Sequence, residues 1–230
     1  MCIRDRFIFV TGRNKAAIED HFDHSFELEA TLQAKGKTSA LELVKAMLHN
    51  PGSVQYVRQQ QPAGLGHAVW CARHLVGDEP VAILLADDLI LGTSCVAEMV
   101  EAYPGGNMVA LMTVPADQTG AYGIVTPGAD DGRVVQIEGL VEKPDPAEAP
   151  SNIAVVGRYI ITPEVFETLA AQERGAGGEI QLTDALAKQI GSAPFTGVRF
   201  SGERFDCGSK LGFLQANVAF GLCNDTLEGA

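Results

Sequence analysis

Val81-Ala82-Ile83-Leu84-Leu85-Ala86-Asp87-Asp88 is an apolar run that ends on two adjacent carboxylates. Val81–Leu85 has no polar interruption, and such a run suits a strand buried on both faces of a parallel sheet. In open α/β sheets, ligands bind just outside the carboxyl ends of the strands. A carboxylate there can hold magnesium, an ion that takes oxygen ligands and usually also contacts a substrate phosphate. Asp87 and Asp88 would serve equally well as caps of the following turn, so the pair alone leaves both readings open.

The flanking sequence repeats the alternation of strand and helix. Upstream, Phe7–Val10 reads as a buried strand that meets a turn at Thr11-Gly12. Helical spacing follows over Asn14–Phe22. Ser25 is placed to cap a second helix through Ala34, and Thr38 or Ser39 a third that Asn50-Pro51-Gly52 stops. Val54–Val57 is a strand, and a helix runs from about His67 to Leu75. Downstream come a helix near Val96–Ala102 and a strand over Val109–Val114. This order predicts an α/β sheet, mixed but mainly parallel, with helices on its faces. Tyr122–Val125, Val134–Ile137 and Val155–Ile161 are strands separated by Gly, Pro and Asp clusters, which predicts a small antiparallel extension. Thr162-Pro163-Glu164 opens another helix, with proline in the first turn and an acid at the positive end. Helices at Thr183–Ile190 and Leu211–Leu222 enclose a last strand, Phe195–Phe200.

Composition narrows the partners. Of 230 residues, 46% are hydrophobic and 20% charged, enough apolar material for a core. No apolar run approaches a bilayer span of roughly 18–20 residues, and the N-terminus is too short and polar for a signal peptide. The net charge of −12, with Lys and Arg scattered, excludes the basic face of a nucleic-acid binder. We expect a cytoplasmic protein without membrane or nucleic-acid partners. Anionic substrates remain open to it through a few placed cations, backbone amides and a metal ion. Five cysteines without CxxC spacing argue against a disulfide framework or zinc site.

Four further segments carry chemistry. Gln59-Gln60-Gln61-Pro62-Ala63-Gly64-Leu65-Gly66-His67-Ala68 joins a strand to a helix. Its glycines let backbone approach a ligand, and a glutamine amide offers donor and acceptor to a uracil or thymine edge. An ordinary turn is the alternative. Tyr122-Gly123 precedes a strand, where a missing side chain would admit a sugar ring or simply make a turn. In Val141-Glu142-Lys143-Pro144, glutamate can accept from sugar hydroxyls and lysine can hold a phosphate. Neighbouring strand residues point to opposite faces, so the two serve one site only if the strand bends or ends there, as Pro144 suggests. A surface ion pair is the other reading. Asp206, in Phe205-Asp206-Cys207-Gly208, is a second metal-facing acid or a helix cap.

Taken in order, Gly64-Leu65-Gly66-His67-Ala68-Val69, Ala86-Asp87-Asp88, Tyr122-Gly123, Glu142-Lys143-Pro144, Ser151-Asn152-Ile153-Ala154, Val156-Gly157-Arg158-Tyr159, Glu179-Ile180-Gln181-Leu182-Thr183-Asp184-Ala185 and Asp206-Cys207-Gly208 resemble the bacterial UTP–glucose-1-phosphate uridylyltransferases. The resemblance spans nearly everything from Phe7 to Leu222. It implies a single domain over residues 1–230 with a Rossmann-like nucleotidyltransferase core and a magnesium-dependent reaction. UTP and glucose 1-phosphate would give UDP-glucose and pyrophosphate. On this chain Gln59 and Gly64 would hold uracil, and Asp87, with Asp88 beside it, would bind Mg2+. Gly123 would lie against the sugar, Glu142 would bind its hydroxyls, Lys143 would hold its phosphate, and Asp206 would be a further metal and substrate residue. The resemblance also implies a homodimer or homotetramer. The family begins with a strand and a glycine-rich, basic phosphate loop. Phe7–Val10 resembles the family's second strand and Met1–Arg6 reads as non-native, so the expectation is a chain lacking that first strand and loop, with impaired activity. A glucose-1-phosphate thymidylyltransferase would share the metal acid and the Glu-Lys-Pro segment. A non-catalytic nucleotide-sugar-binding protein would share the binding residues without turnover.

Overall fold

The computed structural model describes residues 6–224. The polypeptide divides into two compact units between Leu75 and Val76. In the first, β1 (Phe7–Thr11) and β2 (Val54–Arg58) pair in parallel, with Phe7 opposite Val54 and Thr11 opposite Arg58. Three helices connect them: α1 (Ala16–His21), α2 (Phe26–Ala34) and α3 (Thr38–Ala46). α4 (Leu65–Cys71) follows β2. Phe9 holds the small apolar centre, its ring stacked on Phe22 at 4.9 Å and on Tyr56 at 5.5 Å. α2 and α3 bury no residue.

The helix starts differ in detail from expectation. Ser25 occupies the N-cap of α2 without a side-chain hydrogen bond. Lys37, not Thr38 or Ser39, precedes α3. The C-terminal turn of α2 closes late, with Lys37 N–H donating to Leu32 O at 2.9 Å and Gly36 at φ +63°. One residue then remains before α3 begins, so Thr38 opens the helix rather than capping it.

The second unit is built on a six-stranded sheet. Its elements are β3 (Val81–Leu84), β4 (Asp88–Leu91), α5 (Cys95–Glu101), β5 (Asn107–Thr113), β6 (Gly123–Asp130), β7 (Val134–Glu142), β8 (Ile153–Ile161), α6 (Glu164–Ala170), α7 (Leu182–Ala187), β9 (Phe195–Arg199), β10 (Glu203–Asp206) and α8 (Lys210–Leu222). Strand order is β3-β8-β5-β9-β7-β6, and β6 also bridges back to β8 at Ile124–Ala154. β4 and β10 form a separate antiparallel ribbon. Met99 of α5 packs with Met108 and Ala110 of β5, Val156 and Ile160 of β8, and Val198 of β9. α6 and α7 bury Val165, Leu169, Leu182 and Leu186.

The sheet is mixed, as expected, but among its strands only β5 and β9 pair in parallel. The reason is the position of β8. The sequence reading assigns Val155–Ile161 to an antiparallel extension, whereas the strand lies between β3 and β5, antiparallel to both. All nine of its residues are buried, as a largely apolar strand covered on both faces should be, and its one charged residue, Arg158, donates to the backbone oxygens of Leu85, Gly157 and Asp88. β3, expected to be buried on both faces, is the edge strand instead. Val81–Ile83 are half-buried and Leu84 is 54% exposed.

Candidate active site

The chain leaves β3, turns through Leu85–Asp87 and enters β4 at Asp88. In the β4–β10 ribbon Asp88 stands opposite Asp206. Cys207 N–H donates to Asp87 O at 2.7 Å and locks the two turns together. Gly208 shows what this accomplishes. A Cβ placed on it would lie 3.1 Å from Asp206 Oδ1 and 3.3 Å from Asp87 Oδ2. The two carboxylates therefore border one point, and glycine leaves that point clear. Asp87 is exposed and Asp206 half-exposed. Gly208 N–H also donates to Asp206 Oδ1 at 3.0 Å.

Two open carboxylates suit a hard, oxygen-preferring ion such as Mg2+, which keeps several waters and shares substrate phosphate oxygens. Among the described residues no cluster of three or more His, Cys, Asp or Glu converges as a full protein cage. The donor set thus fits an ion completed by solvent and substrate.

Asp88, unlike Asp87, is turned into the protein. It is 4% exposed. Its Oδ2 accepts from Gly157 N–H at 2.6 Å, and its Oδ1 accepts from Arg204 Nε at 2.7 Å and lies 2.5 Å from Arg204 Nη2. Arg158 closes the turn from the other side, donating to Leu85 O at 3.0 Å and to Asp88 O. Side chains alternate along a strand, so at the strand start Asp88 points inward while Asp87, still in the turn, faces out. The Asp88 carboxylate thus ties the Leu85–Asp87 turn to Gly157 and Arg204.

Glu142 ends β7 opposite Gly123 of β6. Lys143 then adopts φ +48° and its N–H donates to Tyr122 O at 3.0 Å. A left-handed non-glycine residue costs roughly 1–2 kcal/mol, and here it supplies the bend that the Glu-Lys pair needs. Lys143 Nζ lies 3.8 Å from Glu142 Oε1, so the two side chains turn to one side. Glu142 Oε2 accepts from the Thr183 hydroxyl at 2.7 Å.

Gly123 is closely packed where a side chain would stand. A Cβ there would meet Thr183 Cγ2 at 2.9 Å and Glu142 Oε2 at 3.2 Å. The direction a side chain would take from Gly123 is filled by Thr183 and Glu142.

Arg204 and Tyr122 join the carboxylate pair to the Glu-Lys pair. The Arg204 guanidinium sits 5.6 Å from the Tyr122 ring centroid, and the backbone of Tyr122 anchors Lys143. The buried Tyr159 hydroxyl senses both groups. Its pKa is raised by burial first, then by the negative charges of Glu142, Asp88 and, more weakly, Asp87. Two hollows elsewhere on this unit, around Gln136, Pro194 and Phe195, are lined by residues outside this constellation.

In the first unit, Gly64 takes φ +107° at the start of α4, a conformation that favours glycine. Gln59 Nε2 donates to Gly64 O at 3.1 Å and faces His67 Nδ1 at 2.9 Å. A carbonyl oxygen only accepts, which fixes the amide orientation and leaves His67 Nδ1 to accept the second amide hydrogen. Both donor hydrogens of the amide are committed. Gln59 thus offers a base an acceptor, Oε1, rather than a donor and acceptor together.

Sequence reasoning assigns no role to Arg204, Arg158, Tyr159 or Thr183. Thr183 and the Arg158-Tyr159 pair lie within motifs it singles out, but nothing in the spacing says what they touch. Arg204 gives no signal, since a charged residue alternating along a short strand normally reads as solvated.

Comparison with known proteins gives the family. The nucleotidyl transferase family model matches residues 7–220. A UTP–glucose-1-phosphate uridylyltransferase of Komagataeibacter xylinus is 51% identical over 210 residues, 90% of this chain and 74% of the relative. A crystal structure of UDP-glucose pyrophosphorylase complexed with UDP-glucose superposes with a TM-score of 0.84 at 37% identity, over 94% of this chain and 81% of the other. The UTP-bound enzyme from Acinetobacter baumannii superposes with a TM-score of 0.87 at 38% identity, over 97% of this chain and 79% of the other. On these matches and on the residues described above, the chain belongs to the nucleotidyltransferase family, among its UTP–glucose-1-phosphate uridylyltransferases.

Proposed function

We propose that Asp87 and Asp206 hold a magnesium ion, Glu142 binds sugar hydroxyls, Lys143 holds the sugar phosphate, and Gln59 with Gly64 reads uracil, for the joining of UTP and glucose 1-phosphate into UDP-glucose. The observation that carries the metal assignment is the single point bordered by both carboxylates over Gly208.

A phosphate oxygen of glucose 1-phosphate attacks the α-phosphorus of UTP and pyrophosphate leaves. Both reactants are anions, and no protein nucleophile is required. Catalysis is therefore chiefly positioning and charge neutralisation. A divalent ion supplies positive charge to phosphate oxygens. Lys143 brings a compact cation to the attacking phosphate, and its left-handed backbone fixes where that cation stands. Glu142 orients the sugar through its hydroxyls. Gln59 Oε1 accepts the N3–H of uracil; cytosine carries an acceptor at that atom and is refused.

The test is product formation by the purified protein. With magnesium, UTP and glucose 1-phosphate should yield UDP-glucose and pyrophosphate, UTP being used in preference to dTTP and strongly to CTP. Gln59→Leu should narrow the UTP-to-CTP ratio by about tenfold or more, the worth of one well-placed hydrogen bond in a nucleobase site. Equal use of UTP and CTP by the unaltered chain would overturn the reading of Gln59.

A further inference from the structure

Resting on the reading of Glu142 as the sugar-binding carboxylate, we propose that Thr183 is a positioning residue that sets the orientation of that carboxylate, and that Gly123 is glycine to make room for it. Thr183 lies in the first turn of α7 and is 6% exposed. Its neighbours Leu182, Ala185 and Leu186 are buried and fix the helix in the core. The two branches of its side chain do separate things. The hydroxyl donates to Glu142 Oε2 at 2.7 Å, and the methyl Cγ2 stands where a Cβ on Gly123 would come within 2.9 Å.

The arrangement divides the carboxylate. Oε2 is held from within the protein by Thr183, while Oε1 turns toward Lys143 Nζ at 3.8 Å. A glutamate side chain has three rotatable bonds, and a sugar hydroxyl is recognised only by a carboxylate held at one angle. The cross-strand register places Gly123 directly opposite Glu142. A side chain at that glycine would press on Thr183 Cγ2 and on Glu142 Oε2 together, so the three residues act as one unit.

Steady-state kinetics of paired variants tests this. Thr183→Val keeps the branched shape and loses the hydroxyl. It should raise KM for glucose 1-phosphate about tenfold, the effect of one hydrogen bond to a charged group. KM for UTP should stay within about twofold. Thr183→Ser keeps the hydroxyl and should behave like the unaltered protein. Gly123→Ala should raise KM for glucose 1-phosphate, and adding Thr183→Ser to it should recover much of the loss, because serine lacks the methyl that the introduced Cβ would strike. Glu142→Ala is the control. If it raises this KM and Thr183→Val does not, the positioning role is wrong. If Thr183→Val and Thr183→Ser are equally impaired, or Thr183→Ser fails to relieve Gly123→Ala, Thr183 is a packing residue only. If Glu142→Ala leaves KM for glucose 1-phosphate unchanged, the sugar-binding reading fails and this inference with it.

Discussion

Asp87 and Asp88 are adjacent carboxylates with opposite surroundings, and substitution should separate them. Asp88 is enclosed by Arg204 and the Gly157 N–H. Asp88→Leu would leave a buried guanidinium without its partner, a change that costs about 3–5 kcal/mol. Asp87→Asn alters an exposed group and should change stability by no more than about 0.5 kcal/mol while lowering turnover severely. Denaturant unfolding of the two variants checks this, and equal midpoints would contradict it. Lys143→Ala should likewise cost turnover, by about 10²–10³-fold for a lost charge contact in the transition state, with little change in unfolding. Cys95 gives a prediction of another kind. Burial pushes its thiol up to about 12, with Arg158 opposing and Glu98 adding to the shift. The thiolate is the reactive form, so at pH 8 Cys95 should resist alkylation until the protein unfolds, whereas exposed Cys223 should react in the native state. Mass spectrometry of alkylated peptides reads both. At this scale, the residue types of the site are legible in the sequence, because Asp after an apolar strand and Glu-Lys before Pro carry their chemistry with them. Their directions are not. Which of two adjacent aspartates faces out depends on where β4 begins, and the filling of space over Gly123 depends on Thr183, in a helix much later in the chain.

The β4–β10 ribbon and β8 decide where the site stands. The ribbon sets Asp88 opposite Asp206 and so brings Asp87 and Asp206 to one point. β8 supports it from beneath. Gly157 donates to Asp88 Oδ2, accepts from Leu85 N–H at 2.9 Å, and leaves no space above its Cα. A Cβ there would come within 2.3 Å of Asp88 Oδ2 and 2.8 Å of Leu85 Cβ. Gly157→Ala should therefore destabilise by about 1–3 kcal/mol, the cost of overpacking, and reduce turnover by displacing the Asp87 turn. A variant with native melting and native turnover would show that the turn is not seated on β8. Helices and strands are mostly legible, since their periodicities are local. The place of β8 is not. The Gly, Pro and Asp clusters around it signal turns truthfully, but they do not say that a strand after two hairpin strands returns to an interior place between β3 and β5. Its largely apolar sequence, Ile153–Ile161 with Arg158 as the one charged residue, is the one sign of double burial. The converse error is β3, whose apolar run reads as central although it lies at the sheet edge.

Across the whole molecule, stability and charge are unevenly spread. The second unit holds the fully buried strand β8 and the largely buried β5, while α2 and α3 of the first bury no residue. Slowest-exchanging amides belong to cooperative cores. Hydrogen exchange should accordingly find the β5 and β8 amides slowest, and those of α2 and α3 faster by about 100-fold or more; uniform protection would contradict this. Among the described residues no helix is long and apolar enough to cross a membrane. A net charge of −12 gives no general attraction for two anionic substrates, so on the proposed assignment their capture would fall to local cations: Lys143 and the ion that Asp87 and Asp206 would hold. That division of labour is the centre of the account, and a magnesium titration of UDP-glucose formation by Asp206→Asn and Lys143→Ala tests it most directly. Asp206→Asn should move the magnesium midpoint upward by about tenfold or more, and Lys143→Ala should lower the rate at saturating magnesium without moving that midpoint. An unshifted midpoint in Asp206→Asn, or an equal shift in both variants, would contradict the assignment.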